Sequence, residues 1–191
     1  MFDTWKNKPD SFETGDDSAV ITAPAGTDYF NDPSSDTRRR NAAFFAGEAA
    51  GDFTLEGRVT PEFAGTYDAG ALMLYYNDDT WLKLAFEQTD MGCTSVVSVV
   101  TRGLSDDANG EVVTDPNICL KMSRRGDTVG LYYSRDGESW RMVRLFSFPA
   151  PAGNTCLVGV AAQSPLGSGC RVTFSDLAFA PNAVTDFRRG V

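Results

Sequence analysis

From Phe53 onward the chain alternates apolar and polar residues with a period of two. Phe53, Leu55 and Val59 take one side, and Thr54, Glu56 and Arg58 take the other. Such a repeat buries one face of a strand and cannot line up one stripe of a helix. No segment keeps a helical repeat over ten or more residues, so the chain is expected to be all-β with little or no helix.

The strands read as hairpins. Gly70 to Tyr76 is a nearly continuous apolar run, Asn77-Asp78-Asp79 forms a turn, and Trp81 to Glu87 returns as a strand. Leu82, Leu84 and Phe86 share one face of that return strand; Trp81, Lys83, Ala85 and Glu87 share the other. Ser95 to Arg102 is β-branched. Ile118, Leu120 and Met122 oppose Cys119, Lys121 and Ser123. Val129 to Tyr133 and Trp140 to Phe146 flank the turn Ser134 to Ser139, which has the form of an Asp-box hairpin with Trp140 packed beneath it. Leu157 to Gln163 and Val172 to Phe179 complete the set. Many short strands with turn chemistry between them indicate a sandwich or a barrel. The first fifty residues are less regular, with strands expected over Ser18 to Thr22 and around Phe44-Phe45. Gly26 to Asn41 and Ser105 to Gly110 read as polar loops, and Pro181 to Val191 as a loose tail. There is no repeat or linker, so residues 1–191 form one domain with its core over about 5–180.

Hydrophobic residues make up 42% of 191, enough for a sizeable core. Acids outnumber bases 26 to 17, a balance that repels phosphate backbones and anionic lipid, so neither nucleic acid nor membrane is expected as a partner. No apolar stretch is long enough to span a bilayer, and Met1 to Trp5 lacks the basic and apolar start of a leader; a cytoplasmic protein is expected. Cys93, Cys119, Cys156 and Cys170 are widely spaced without a C-x-x-C pair and read as free thiols. Histidine is absent. That removes Ser-His-Asp and Cys-His catalysis in their usual forms, and histidine-ligated metals. No cofactor, metal ligand or catalytic residue is therefore assigned. Asp78-Asp79 and Asp106-Asp107-x-Asn109 lack the spacing of a calcium loop.

A string of short motifs runs through the chain in a fixed order. The string runs through Trp5-x-x-x-Pro9, Thr27-Asp28-Tyr29-Phe30, Gly51-Asp52-Phe53-Thr54 and Tyr67-Asp68-Ala69-Gly70. It continues through Trp81-x-Lys83-x-x-x-Glu87, Ser98-Val99-Val100-Thr101, Ser105-Asp106, Ser123-Arg124-Arg125-Gly126-Asp127, Tyr133-Ser134-x-Asp136-Gly137-x-x-Trp140 and Ala162-x-Ser164-Pro165. In this order and spacing the motifs are similar to the DUF1349 family, which includes YesU-like and regulation-of-enolase-like proteins, and the resemblance implies a concanavalin A-like jelly-roll β-sandwich of two antiparallel sheets. It also implies a concave sheet face, which in related lectins and glucanases receives carbohydrate. Two positions depart from the family: Phe30, often Trp, and Asp107, often aromatic.

A sugar site needs an aromatic plate and charged or amide groups for the hydroxyls. Trp81, Lys83 and Glu87 supply both on one strand face, with Tyr76 at the end of the preceding strand. Asp28, Tyr29 and Phe30 sit in a loop that could fold over the face. Arg102 and Asp106 could pair or orient a ligand, and Gln163 could add an amide contact. These ten residues are the candidate ligand site for a saccharide or small polyol. The expected function is non-catalytic binding. A glycoside-active enzyme would use carboxylates such as Glu87, yet the E-x-D-x-E strand motif is missing and Glu87 and Asp90 have the wrong parity for one face. A third reading is a protein-interaction module, with a flat sheet face available for a homodimer.

Overall fold

The computed structural model describes residues 1–151 and 155–191, and its regular structure there is strand throughout. In chain order the strands are β1 (Thr4–Lys6), β2 (Phe12–Thr14), β3 (Ala19–Pro24), β4 (Tyr29–Asn31), β5 (Arg38–Arg40), β6 (Ala43–Ala50), β7 (Phe53–Glu62) and β8 (Ala69–Asn77). Then follow β9 (Thr80–Gln88), β10 (Thr94–Arg102), β11 (Leu104–Val112), β12 (Ile118–Arg125), β13 (Thr128–Ser134), β14 (Arg141–Ser147), β15 (Thr155–Gln163) and β16 (Gly169–Ala180). One sheet has the order β1-β6-β15-β8-β9-β10-β11, the other β14-β13-β12-β7-β16-β3-β2, and β4-β5 forms a separate hairpin. The pairings are antiparallel, as expected for the jelly-roll sandwich.

The alternation in the sequence fills the space between the sheets. Leu72, Leu74, Leu82, Leu84 and Phe86 meet Leu55, Val59, Leu120, Met122 and Phe174 there. Each such side chain contributes about 1.5–3 kcal/mol when fully buried. Among the described residues no helix is long and apolar enough to cross a membrane. The four cysteines are free thiols.

Three segments differ from the sequence reading. Gly26 to Asn41 is not all loop, because it holds the β4-β5 hairpin. Asn31 anchors that hairpin: its backbone N–H donates to Ser105 Oγ (2.9 Å) and its Nδ2 to the Gly103 carbonyl (2.9 Å). Ser105 to Gly110 is the body of β11, with Val99 facing Asp107 and Thr101 facing Ser105. Its polar residues suit an exposed edge strand, and its pairing comes from β10 rather than from its own propensity. Pro181 to Val191 is docked, not loose. Val184 N–H donates to Ser123 Oγ (2.9 Å), Tyr132 Oη to the Phe187 carbonyl (2.7 Å) and Lys121 Nζ to the Gly190 carbonyl (3.1 Å).

The turn after β13 has the expected form. Asp136 Oδ1 accepts from Ser134 Oγ, Glu138 N–H and Ser139 N–H within 2.9 Å. Those donors, the Ser139 amide foremost, hold its carboxyl well below the usual range. Trp140 lies under Lys121, whose Nζ stands 3.9 Å from the ring centre.

Candidate functional site

The outer face of the first sheet carries a second apolar cluster, including Tyr29, Phe44, Met73, Tyr75 and Trp81. The Gly26–Asn41 segment lies over one end of it, with Tyr29 T-shaped against Trp81 at 5.6 Å. The rest of the face is hollow because of its register. Lys83 faces Met73 on β8 and Val99 on β10, and Val99 faces Asp107 on β11. Two rungs further, Glu87 faces Ala69 on β8, and Ala69 faces Gln163 on β15. The rung between holds Ala161, Ala71 and Ala85, which are too small to fill the space. The result is a cavity of about 190 Å³ lined by Asp28, Phe30, Tyr67, Lys83, Glu87, Val99, Asp107 and Gln163.

The polar wall is internally fixed. Lys83 Nζ donates to Gln163 Oε1 (2.7 Å) and to Asp28 Oδ1 (3.2 Å). Gln163 Nε2 donates onward to the Tyr67 carbonyl (3.1 Å). Tyr67 has a positive φ of 67°, a strained backbone for a bulky residue. Its neighbour Asp68 is fully buried and holds the turn. Asp68 accepts from Ala64 N–H (2.9 Å), Gly65 N–H (2.7 Å) and Ser164 Oγ (2.6 Å). On the opposite wall Asp28 is set by Asn41, whose Oδ1 accepts from the Asp28 N–H (2.9 Å).

Glu87 is 7% exposed, and among the described residues no hydrogen bond reaches its carboxyl group. Burial pushes that carboxyl up to about 8; Lys83 pulls it down, while Asp107, Asp28 and Asp90 add to the rise. Asp107 is also raised, first by desolvation on its cavity side and then by Asp28, with Lys83 opposing. Its residue is exposed at the edge, so water screens this effect more than at Glu87. The Tyr67 hydroxyl is raised by desolvation and by Asp90, Glu87 and Asp107. Among the described residues no three carboxyl or thiol groups converge as metal ligands would.

Of the ten residues singled out in sequence, Asp28, Phe30, Lys83, Glu87 and Gln163 line the cavity together. The other five do not. Trp81 is no exposed plate: it is fully buried beneath Tyr29. Tyr29 is 1% exposed and accepts a hydrogen bond from Asn7 Nδ2. Tyr76 packs on the inter-sheet core, its ring stacked on Phe148 at 5.9 Å. Arg102 and Asp106 do not pair with each other. Arg102 donates to the Ser147 carbonyl and stands over Phe148, while Asp106 takes Arg144 NH2 at 2.6 Å.

Tyr67, Val99 and Asp107 were not among the ten. Val99 and Asp107 reach the site through the register of β9, β10 and β11, and Asp107 was hidden in a segment read as loop. Tyr67 stands in the turn before β8, where strand parity says nothing. Phe30 and Asp107, where the sequence reading expects a departure from the family, both line the cavity.

A family model described as "Protein of unknown function (DUF1349)" matches residues 5–182. The chain belongs to the DUF1349 family. A relative from Saccharomyces cerevisiae, Regulation of enolase protein 1, is 29% identical over 174 residues, covering 91% of this chain and 86% of that protein. The DUF1349 chain also superposes on a crystal structure described as a functionally unknown protein from Saccharomyces cerevisiae. The TM-score is 0.88 at 28% identity, over 96% of this chain and 97% of that one. The carbohydrate-binding module CBM66 from Bacillus subtilis matches with a TM-score of 0.52 at 14% identity, over 92% of this chain and 90% of that one. That last likeness is one of fold alone.

Proposed function

We propose that this chain is a carbohydrate- or polyol-binding protein whose cavity on the outer face of the first sheet takes a single sugar ring. One observation carries the reading. Glu87 is buried against the cavity with no hydrogen bond of its own, beside a fixed row of donors and acceptors at Lys83, Gln163 and Asp28. Its carboxyl oxygens open onto the cavity rather than onto protein donors, and a ligand hydroxyl would take the place of water there. Phe30 and Tyr67 supply the flanking rings in place of Trp81. The volume of about 190 Å³ is below the roughly 300–1,000 Å³ of sites for drug-sized molecules, which suits one ring rather than an oligosaccharide.

A second reading has its own observation. A carboxyl held protonated near neutral pH, with a more solvated carboxyl at Asp107 across the same cavity, is the pairing that acid–base sugar chemistry uses. Binding without turnover favours the first reading; release of product from an aryl glycoside, abolished in Glu87→Gln, favours the second.

The test is thermal unfolding against a panel of monosaccharides and polyols, with Glu87→Ala alongside. A ligand at a hundred times its dissociation constant adds about 2.7 kcal/mol of stability. A rise in Tm for the native chain that is absent in Glu87→Ala supports the reading. A flat panel with both proteins folded overturns it.

A further inference from the structure

We infer that the cavity selects its ligand by charge, favouring a ring that carries an amino group, admitting a neutral ring less well and excluding carboxylated or phosphorylated rings. The inference rests on the proposed cavity and goes beyond it by naming the class of ligand.

The lining holds three carboxyl groups, at Asp28, Glu87 and Asp107, and one cation, Lys83. The cation is already engaged. Its Nζ makes an ion pair with Asp28 and a hydrogen bond to Gln163, and its side chain is 3% exposed. An incoming anion would therefore have to break a buried pair to reach it, leaving Asp28 uncompensated. Lys83 also attracts Glu87 and Asp107 but makes an ion pair with neither, and Asp90 adds further negative charge near Tyr67. Whatever the protonation of Glu87, the lining carries no net positive charge.

The carboxyl that opens onto the cavity points the same way. Glu87 is more than nine-tenths buried, lines the cavity and makes no hydrogen bond among the described residues. An ammonium group beside it would supply both a donor and a counter-charge. It would also stabilise the ionised carboxylate in place of water. Gln163, held by Lys83 and the Tyr67 carbonyl, keeps one amide hydrogen and one lone pair for ring hydroxyls. An amine ligand should then bind more tightly as pH rises through the range in which Glu87 loses its proton, provided the amine itself stays charged. A neutral ring should show no such gain.

The experiment is isothermal titration at pH 7 with five probes: D-glucosamine, D-glucose, D-glucuronate, cyclohexylamine and cyclohexanecarboxylate. Glucosamine is expected to bind about tenfold or more tighter than glucose, glucuronate not measurably, and Asp107→Asn to narrow the gap. Glucuronate binding as well as glucosamine, or glucose matching glucosamine, overturns the charge inference and leaves the sugar reading standing. Cyclohexylamine binding while neither glucose nor glucosamine binds supports the charge inference and overturns the sugar reading. No binding by any probe to a folded chain overturns both.

Discussion

Lys83 Nζ on β9 donates to Gln163 Oε1 on β15 at 2.7 Å, so the two side chains reach over the intervening β8. That reach is open because β8 presents alanines at this point. The same ammonium compensates Asp28, whose side chain is 13% exposed. Lys83→Met should destabilise the protein by about 2–4 kcal/mol, because it leaves a mostly buried carboxylate without a partner. Adding Asp28→Asn should recover more than half of the loss. Urea denaturation of the two single variants and the double variant reads this directly. A loss under about 1 kcal/mol for Lys83→Met would mean that water screens the pair.

Glu87 makes stability depend on pH with a definite sign. Its folded value of about 8 lies above that of an unfolded glutamate, so the folded chain keeps a proton that the unfolded chain releases. The unfavourable contribution is absent below the unfolded value, near pH 4.5, grows as pH rises, and is complete above about pH 8. Glu87→Gln should therefore raise stability by about 1–3 kcal/mol at pH 8 and much less at pH 5. Denaturation midpoints at both pH values check it; an equal gain at both would show that Glu87 ionises normally.

Tyr67 sits at a φ of 67°. The left-handed conformation costs a non-glycine residue roughly 1–2 kcal/mol, and asparagine tolerates it better than alanine. Tyr67→Asn should thus be more stable than Tyr67→Ala by about 0.5–1 kcal/mol, although both lose the ring. Both should weaken binding of the proposed ligand about tenfold or more, since Tyr67 lines the cavity. Equal melting temperatures for the two variants would remove the strain argument.

Gly167 crosses close to the buried Asp68. A Cβ there would stand 2.6 Å from Ser164 Oγ and 2.8 Å from Asp68 Oδ1. Gly167→Ala should cost about 1–3 kcal/mol, as overpacked sites do. Asp68 sets Tyr67, and Gln163 donates to the Tyr67 carbonyl, so ligand affinity should fall as well. Removing the Ser164 hydroxyl in the same chain relieves only one of the two clashes and takes a donor from the buried Asp68, so the double variant should not regain the stability. An alanine variant with unchanged stability and unchanged binding would show that this crossing is slack.

The sequence by itself determined the class of fold and the parity of its strands. Period two settles which of two faces a side chain takes, and it put Leu82, Leu84 and Phe86 in the core and Lys83 and Glu87 on the opposite face. The absence of histidine likewise confined any acid–base chemistry to carboxyl, amine, phenol and thiol groups. Parity does not say what covers a face. Trp81 and Glu87 share theirs, yet the Tyr29 segment closes over the first and leaves the second beside a cavity. Nor does parity give register between strands distant in the chain. Asp107 joins the site because β11 pairs with β10, and Gln163 because β15 inserts between β6 and β8. Those are long-range contacts, and only the packed sheet carries the distances that turn five scattered residues, with Tyr67, Val99 and Asp107, into one site.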